Sequence, residues 1–391
     1  MFKNSSQSNL QDSTSPKAIV IGLDCVTGLQ TARILARHNV PAIGIAQDPE
    51  HFCCRTNVCE RILTADHETD ELIRALETLG PELKHKAVLF PCTDLSVLLI
   101  SRHRQRLEGW YHVDLPNPEI VEMLVDKISF YSYAQRERIP IPPTFFLYNM
   151  VDAEQVAEKL NFPCILKPPL RTPTWTQRAA AKVYKANNAE EFLALCDRCA
   201  GWSKGLVVQE WIEGTDADLY TCYCYFNADS EPVVTFVARK LRQWPPQIGS
   251  SSLGEECRND RVLEESVRLF KKVGYRGLGF VEMKRDKRTG EYFIIEPNIG
   301  RPGLRSAIAE AGGVELLYAK YCNTVGWPLP PNLEQKYGTV KWIYWMRDLQ
   351  SAFSYWRRGE LTLREWWRSC RGRKVSAVFS WSDPAPFLGD L

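Results

Sequence analysis

Residues 278–305, LGFVEMKRDKRTGEYFIIEPNIGRPGLR, constrain the fold more than any other stretch of the chain. Two short apolar runs, GFVEMKR and EYFIIEPN, flank the charged turn DKRTG. Gly290 supplies the bend, and Phe293, Ile294 and Ile295 bring the aromatic and β-branched side chains of a buried strand. The pattern predicts a β-hairpin. Each arm carries one carboxylate in an otherwise apolar setting, Glu282 and Glu296. Asn298 follows Glu296 by two residues, so on an extended chain both side chains leave the same face. Three hard oxygen donors at one end of a hairpin suit Mg²⁺, which takes carboxylate and amide oxygens and is completed by nucleotide phosphates. The competing reading has both glutamates projecting to solvent from amphipathic strands. The apolar run leading directly into EPNIGR weighs against it.

With 391 residues, 45% of them hydrophobic, the chain has material for two or three domains and a sizeable core. Its 49 basic and 47 acidic residues leave a net +2, which gives no electrostatic case for nucleic acid or for an anionic membrane. Residues 1–16 are polar and lack the apolar core of a signal peptide, so a disordered tail is expected. Apolar runs elsewhere stop short of the ~20 residues a membrane helix needs. The expected compartment is the cytoplasm. Thirteen cysteines, an odd number in apolar contexts such as Cys25, Cys92 and Cys164, fit reduced, buried thiols. The single Cys-x-x-Cys, Cys196 and Cys199, has no second pair to complete a zinc site and reads as core. All six histidines lie between His38 and His112, so the remainder of the chain offers none for His-based nucleophile chemistry or zinc hydrolysis.

Residues 17–45 read as strand, glycine turn, helix and second strand, a βαβ unit that opens a parallel, doubly wound sheet. Gly22 and Gly28 stand where a nucleotide fingerprint would put glycines, but the full G-x-G-x-x-G is absent. Residues 87–91 give a further strand with Thr93 and Asp94 at its carboxyl end. That end and the turn at 24–27 lie where such sheets receive ligands, or serve as helix caps. Downstream, Asp126 and Lys127 open a helix, and the apolar strand FPCILKPP ends at Lys167, a lysine that must snorkel or meet an anion. GLVVQEWIEG is another strand. Two alternating segments follow, the second closing on Arg239, Lys240 and Arg242, and alternation puts Lys240 and Arg242 on one face with Arg239 on the other. These cations either protect a solvated edge or meet phosphate.

In these motifs the chain resembles the ATP-grasp superfamily, whose hairpin ends in Glu-x-Asn and supplies the metal ligands. The resemblance implies a mixed α/β and α+β architecture. A preATP-grasp, Rossmann-like domain would span 17–118, and an ATP-grasp domain 119–330 with a small lid subdomain at about 145–210. The helical, Trp-rich extension at 331–391 resembles that of the subgroup to which D-aspartate ligase belongs. By the same resemblance Glu282, Glu296 and Asn298 hold one or two Mg²⁺ ions, with Mn²⁺ as a substitute. Lys127 and Lys167 reach the ATP phosphates, Glu210, Trp211 and Ile212 the adenine, and Glu213 and Asp218 the ribose. On the functional reading of the cations, one or two of Arg239, Lys240 and Arg242 hold the γ-phosphate and the acidic substrate, and Arg301 and Arg305 would orient the acceptor carboxylate. Many members read Glu-x-Asn-Pro-Arg, whereas here Arg301 stands behind Ile299 and Gly300. Residues 170–182 occupy the place of the glycine-rich loop that closes over ATP, yet contain no glycine. Arg171, Thr172, Thr174, Trp175, Thr176 and Arg178 are its candidate phosphate contacts, unless it closes over the substrate instead.

The implied activity is that of an ATP-dependent carboxylate–amine ligase. It would work through an acyl phosphate, release ADP and phosphate, and take a small carboxylic acid and an amine, an amino acid among them. A homodimer is a further expectation. The alternatives are an ATP-grasp enzyme that phosphorylates an enol or other non-carboxylate oxygen, and a nucleotide-binding protein without turnover.

Overall fold

β1 (Ala18–Ile21) and β2 (Ala42–Ala46) are short apolar runs buried along their whole length, which only the centre of a two-sided sheet can accommodate. With β3 (Arg61–Thr64), β4 (Ala87–Pro91) and β5 (Tyr111–His112) they form a parallel sheet of order β3-β2-β1-β4-β5. The order reverses between β1 and β4. There the helix Val26–Arg37 is capped by Cys25, and the helix Asp94–Arg102 by a Thr93–Ser96 capping box. The glycines of the partial fingerprint have a packing reason: a Cβ on Gly28 would lie 2.2 Å from the carbonyl oxygen of Gly22, which itself turns at φ +87°.

This computed structural model describes residues 15–170, 173–179, 181 and 183–390. The expected tail up to residue 14, together with Arg171 and Thr172, lies outside the described residues. A second sheet is antiparallel and four-stranded, built from β6 (Thr144–Leu147), β7 (Cys164–Lys167), β8 (Tyr184–Ala186) and β9 (Leu206–Glu210) in the order β6-β9-β7-β8. Trp175, from the glycine-free segment, is buried in its core against Tyr184 and Trp202. It is a packing residue rather than a phosphate contact. Cys196 and Cys199 belong to the same core.

The third sheet contains β10 (Leu219–Phe226), β11 (Pro232–Trp244), β12 (Ser250–Glu256), β13 (Gly277–Arg285), β14 (Tyr292–Ile299), β15 (Lys341–Ile343) and β16 (Lys374–Ser376), in the order β14-β13-β10-β11-β12-β15-β16. β13 and β14 are the predicted hairpin. Its turn is closed by Gly290 N–H to Asp286 carbonyl and Asp286 N–H to Glu291 carbonyl, both 2.8 Å, with Gly290 at φ +78°. The register sets Glu282 directly opposite Glu296, and a bulge beside this pair leaves Ile295 unpaired. The C-terminal stretch, expected to be helical, also contributes β15 and β16. Three residues each, they carry too little alternation to stand out in the sequence.

A second bulge corrects the expectation for the β11 cations. The ladder shifts between Lys240 and Arg242, so two residues of β11 pass one of β12 and Arg242 parts from Lys240. Arg242 is buried instead against Asp348 of the helix Trp345–Arg357, with Nε–Oδ1 at 2.9 Å and Nη2–Oδ2 at 2.8 Å. Asp348 also accepts from Ser252 and from the Trp366 indole, at 3.1 and 3.0 Å. A buried bidentate pair is worth most through what breaking it leaves behind. Asp348→Ala is therefore expected to lower stability by about 3–5 kcal/mol in denaturant unfolding, by stranding the Arg242 charge. Replacing both partners by apolar residues, Arg242→Met with Asp348→Leu, is expected to recover most of that loss.

Candidate active site

The three sheets converge on a cavity of about 620 Å³. The first contributes Cys92, Thr93 and Asp94 at the carboxyl end of β4, beside the point where strand order reverses. The second contributes Lys167, Gln209, Glu210 and Trp211, and the third Lys240, Glu282, Lys284, Glu296 and Asn298. Arg301 and Arg305 enter from the turn after β14, and Lys127 from the first turn of the helix Lys127–Arg136.

The three oxygen donors predicted from sequence lie together, and each is held by a cation. Lys240 Nζ is 3.5 Å from Glu282 Oε1 and Lys127 Nζ 3.3 Å from Glu296 Oε2, while Arg301 Nη2 donates to Asn298 Oδ1 at 2.5 Å. Carboxylates facing each other across an antiparallel pair repel, so the cations are what makes the Glu282–Glu296 register tolerable. Partial burial would raise the pKa of Glu296, but Lys127, Lys167 and Arg301 together hold it down at about 2. Two carboxylates and an amide oxygen form a hard donor set that fits Mg²⁺. Among the described residues the buried Nδ2 of Asn298 and Nη1 of Arg305 have no hydrogen-bond partner, as expected of side chains set for a polar ligand. Arg305 Nη2 donates to Thr221 Oγ1 at 2.7 Å, and Gly254 keeps room for the guanidinium, since a Cβ there would lie 2.6 Å from Nη1. Arg301 Nε is anchored on Asp94 at 2.5 Å.

Lys167 is buried and donates to the Tyr131 hydroxyl at 2.6 Å, with its ammonium 4.6 Å from that ring's centroid. Burial lowers its pKa to about 7, although Glu296 pulls the other way. Tyr131 in turn donates to the carbonyl of Ile295, the bulged residue beside Glu296.

The remaining candidates divide. Glu210, Trp211 and Ile212 line the cavity. The Trp211 N–H is taken by the Pro163 carbonyl at 2.9 Å, which leaves Trp211's own carbonyl for any contact with a base. Glu210 Oε1 accepts from the Asn161 amide side chain at 2.8 Å. Arg239, expected near the γ-phosphate, does not line the cavity. Strand alternation turns it away from Lys240 into a pair with Glu255, Nε–Oε1 2.9 Å. Glu213 and Asp218 stand back from the cavity as well. Asp218 caps Thr215 through its N–H at 2.8 Å, and the Glu213 carbonyl accepts from Lys287 at 2.9 Å. Both face Lys284, which does line the cavity and which the sequence analysis missed. Burial lowers its pKa to about 8 against the pull of Asp216, Glu213 and Asp218, and its ammonium lies 4.3 Å from the Trp211 ring centroid, with Lys185 at 4.2 Å. The available signal was its spacing, two residues after Glu282 on one strand. Of the glycine-free segment, Thr176 lines the cavity and Arg178 is exposed.

No family model matches the chain. D-aspartate ligase of Enterococcus faecium is 25% identical over 279 residues, which cover 69% of this chain and 66% of the ligase, so the chain spans just under two thirds of that relative. Among solved structures, N5-carboxyaminoimidazole synthetase from Staphylococcus aureus superposes with a TM-score of 0.63 at 13% identity, over 82% of this chain and 80% of that one. The biotin carboxylase domain dimer of Hydrogenobacter thermophilus 2-oxoglutarate carboxylase, in complex with MgADP, ADP and bicarbonate, gives 0.62 at 14% identity, over 80% and 70%. These are ATP-grasp enzymes, and the chain has their fold.

A phosphate arriving at Lys167 would replace lost hydration and raise its pKa. Binding of a non-hydrolysable ATP analogue with Mg²⁺ at about pH 8 is expected to take up close to one proton per site, read from calorimetry in buffers of different ionisation enthalpy. Lys167→Met is expected to remove most of that uptake. Uptake unchanged in the variant would mean that Lys167 does not meet the phosphates.

Proposed function

We propose that the chain is an ATP-dependent carboxylate–amine ligase that releases ADP and phosphate, with an amino acid as one of its substrates. The observation that carries this reading is the set of three oxygen donors, Glu282, Glu296 and Asn298, each bridged to its own cation within one cavity. Such an array suits phosphoryl transfer, which asks little covalent chemistry of the protein and much alignment and charge stabilisation. The relationship to D-aspartate ligase supports amide formation over other ATP chemistry. The cavity, about 620 Å³ and to be shared with ATP, favours small substrates.

In this mechanism Lys127 and Lys167 turn from Glu296 and Tyr131 to oxygens of the nucleotide phosphates, and Lys240 turns from Glu282 to the γ-phosphoryl group. Mg²⁺ held by Glu282, Glu296 and Asn298 would offset the charge on the β- and γ-phosphates. Arg305, whose Nη1 has no partner among the described residues, and Arg301 clamp the acceptor carboxylate in line with the γ-phosphorus. A carboxylate oxygen takes the phosphoryl group and ADP departs. The deprotonated amine then attacks the acyl carbon, and the carbon–oxygen bond to phosphate breaks as the amide forms.

An acyl phosphate deprived of its amine reacts with any good nucleophile that fits. Hydroxylamine offered with the true acid is expected to give a hydroxamate in an amount equal to the ADP formed. AMP as the nucleotide product would overturn the reading, and ADP with a stable phosphorylated product and no hydroxamate would make the protein a kinase. Glu296→Gln is expected to leave the fold intact and remove turnover, a loss of several kcal/mol of transition-state stabilisation. Near-normal turnover in that variant would refute the metal assignment.

A further inference from the structure

The helix Trp345–Arg357 is amphipathic in the inverted sense. Its inward face is polar: Asp348 and Ser351 are fully buried, Asp348 on Arg242 and Ser351 on the Gln243 carbonyl at 2.9 Å, and Tyr355 donates to Asp216 at 2.6 Å. Its outward face is apolar. Leu349, Phe353 and Trp356, spaced i, i+4, i+7, are 48%, 58% and 57% exposed, and the Phe353 and Trp356 rings lie 5.8 Å apart. The next helix, Leu363–Cys370, repeats the imbalance. Leu363, Trp366, Trp367 and Cys370 fall in one sector; Trp366 and Cys370 pack inward, while Leu363 and Trp367 are 69% and 60% exposed. Seven of the twelve large exposed apolar side chains among the described residues lie between residues 349 and 388, so the imbalance is local rather than general.

The charge of the same segment is as one-sided. Seven arginines between residues 347 and 373, with Lys374, are all exposed, against two exposed carboxylates, Glu360 and Glu365. The chain's net +2 averages this cluster away. Facing copies of the surface would set arginines against arginines, which disfavours self-association. A nucleic acid would match the charge but leave Leu349 and Leu363 without an apolar partner. An anionic lipid bilayer satisfies both features at once: basic side chains meet headgroups while Trp, Phe and Leu enter the interface. Among the described residues no helix is long and apolar enough to cross a membrane, so the contact is with its surface.

We propose that the exposed apolar side chains of these two helices, Leu349, Phe353, Trp356, Leu363 and Trp367, with the exposed arginines of the same segment, dock the protein on an anionic membrane surface. The test is cosedimentation of the full chain with sucrose-loaded vesicles of phosphatidylglycerol mixed with phosphatidylcholine, and of phosphatidylcholine alone. Partition onto the anionic vesicles is expected to be at least about tenfold stronger and to fall steeply with added salt. Phe353→Ser with Trp356→Ser, and separately Arg357→Glu with Arg358→Glu, are expected to lose it with melting temperature and ATP turnover unchanged. Arg357→Lys with Arg358→Lys is expected to keep it. Absence of sedimentation, or equal binding to neutral vesicles, would overturn the proposal. So would retention on single-stranded RNA without vesicle binding, or a dimer in sedimentation velocity that Phe353→Ser with Trp356→Ser dissociates while vesicles bind nothing.

Discussion

Glu282 and Glu296 face each other across β13 and β14, and much of the cavity's construction follows from having to hold two like charges at one rung of a sheet. The bulge that leaves Ile295 unpaired sits at this rung, and its carbonyl is taken by Tyr131, which in turn receives Lys167. Lys127 comes from a helix whose first N–H is tied to the Pro169 carbonyl at 3.0 Å, just past the end of β7. Lys240 stands one residue before the β11 bulge. Elements from every side therefore deliver cations to the same few oxygens. Each of the two glutamates thus has a cation within reach, and neither carboxylate stands unpaired at the shared rung.

The framework that holds these elements in register is closed by the C-terminal stretch. Trp342 on β15 donates to Gln30 in the first helix at 2.8 Å, and Arg33 from the same helix meets Asp383 in a buried ion pair at 2.8 Å. Arg242 and Asp348 do the same for the far end of β11. Through these polar contacts the third sheet is fixed to the first across a core that both share. The inverted helix Trp345–Arg357 is a consequence: once its polar face is committed to Arg242, Gln243 and Asp216, its apolar face can only look outward.

The hairpin, the opening βαβ unit and the three oxygen donors were legible in the sequence because each rests on a short-range rule: alternation, turn chemistry, or a strand buried on both faces. Lys127, Lys167, Lys240, Arg301 and Arg305, all named from the sequence, line the cavity. What escaped depended on longer range. Alternation misplaced Arg242 because a bulge resets the period between Lys240 and Arg242. Tyr131, on the helix Lys127–Arg136, gave no signal, since its partner Lys167 ends β7 of the second sheet. Glu213 and Asp218 were assigned to a ribose by resemblance, and their neighbour Lys284, which reaches the cavity, was read only as part of a strand. Net charge is a quantity blind to the clustering of arginines near the C-terminus.

The most direct measurement on this account is a crystal structure of the protein with a non-hydrolysable ATP analogue and Mn²⁺, read by the anomalous signal of the metal. One or two peaks bonded at about 2 Å to the oxygens of Glu282, Glu296 and Asn298, with Lys127 and Lys240 moved from the glutamates onto phosphate, are the expected result. A metal bound away from these three residues, or lysines still paired with the glutamates while nucleotide fills the cavity, would contradict it.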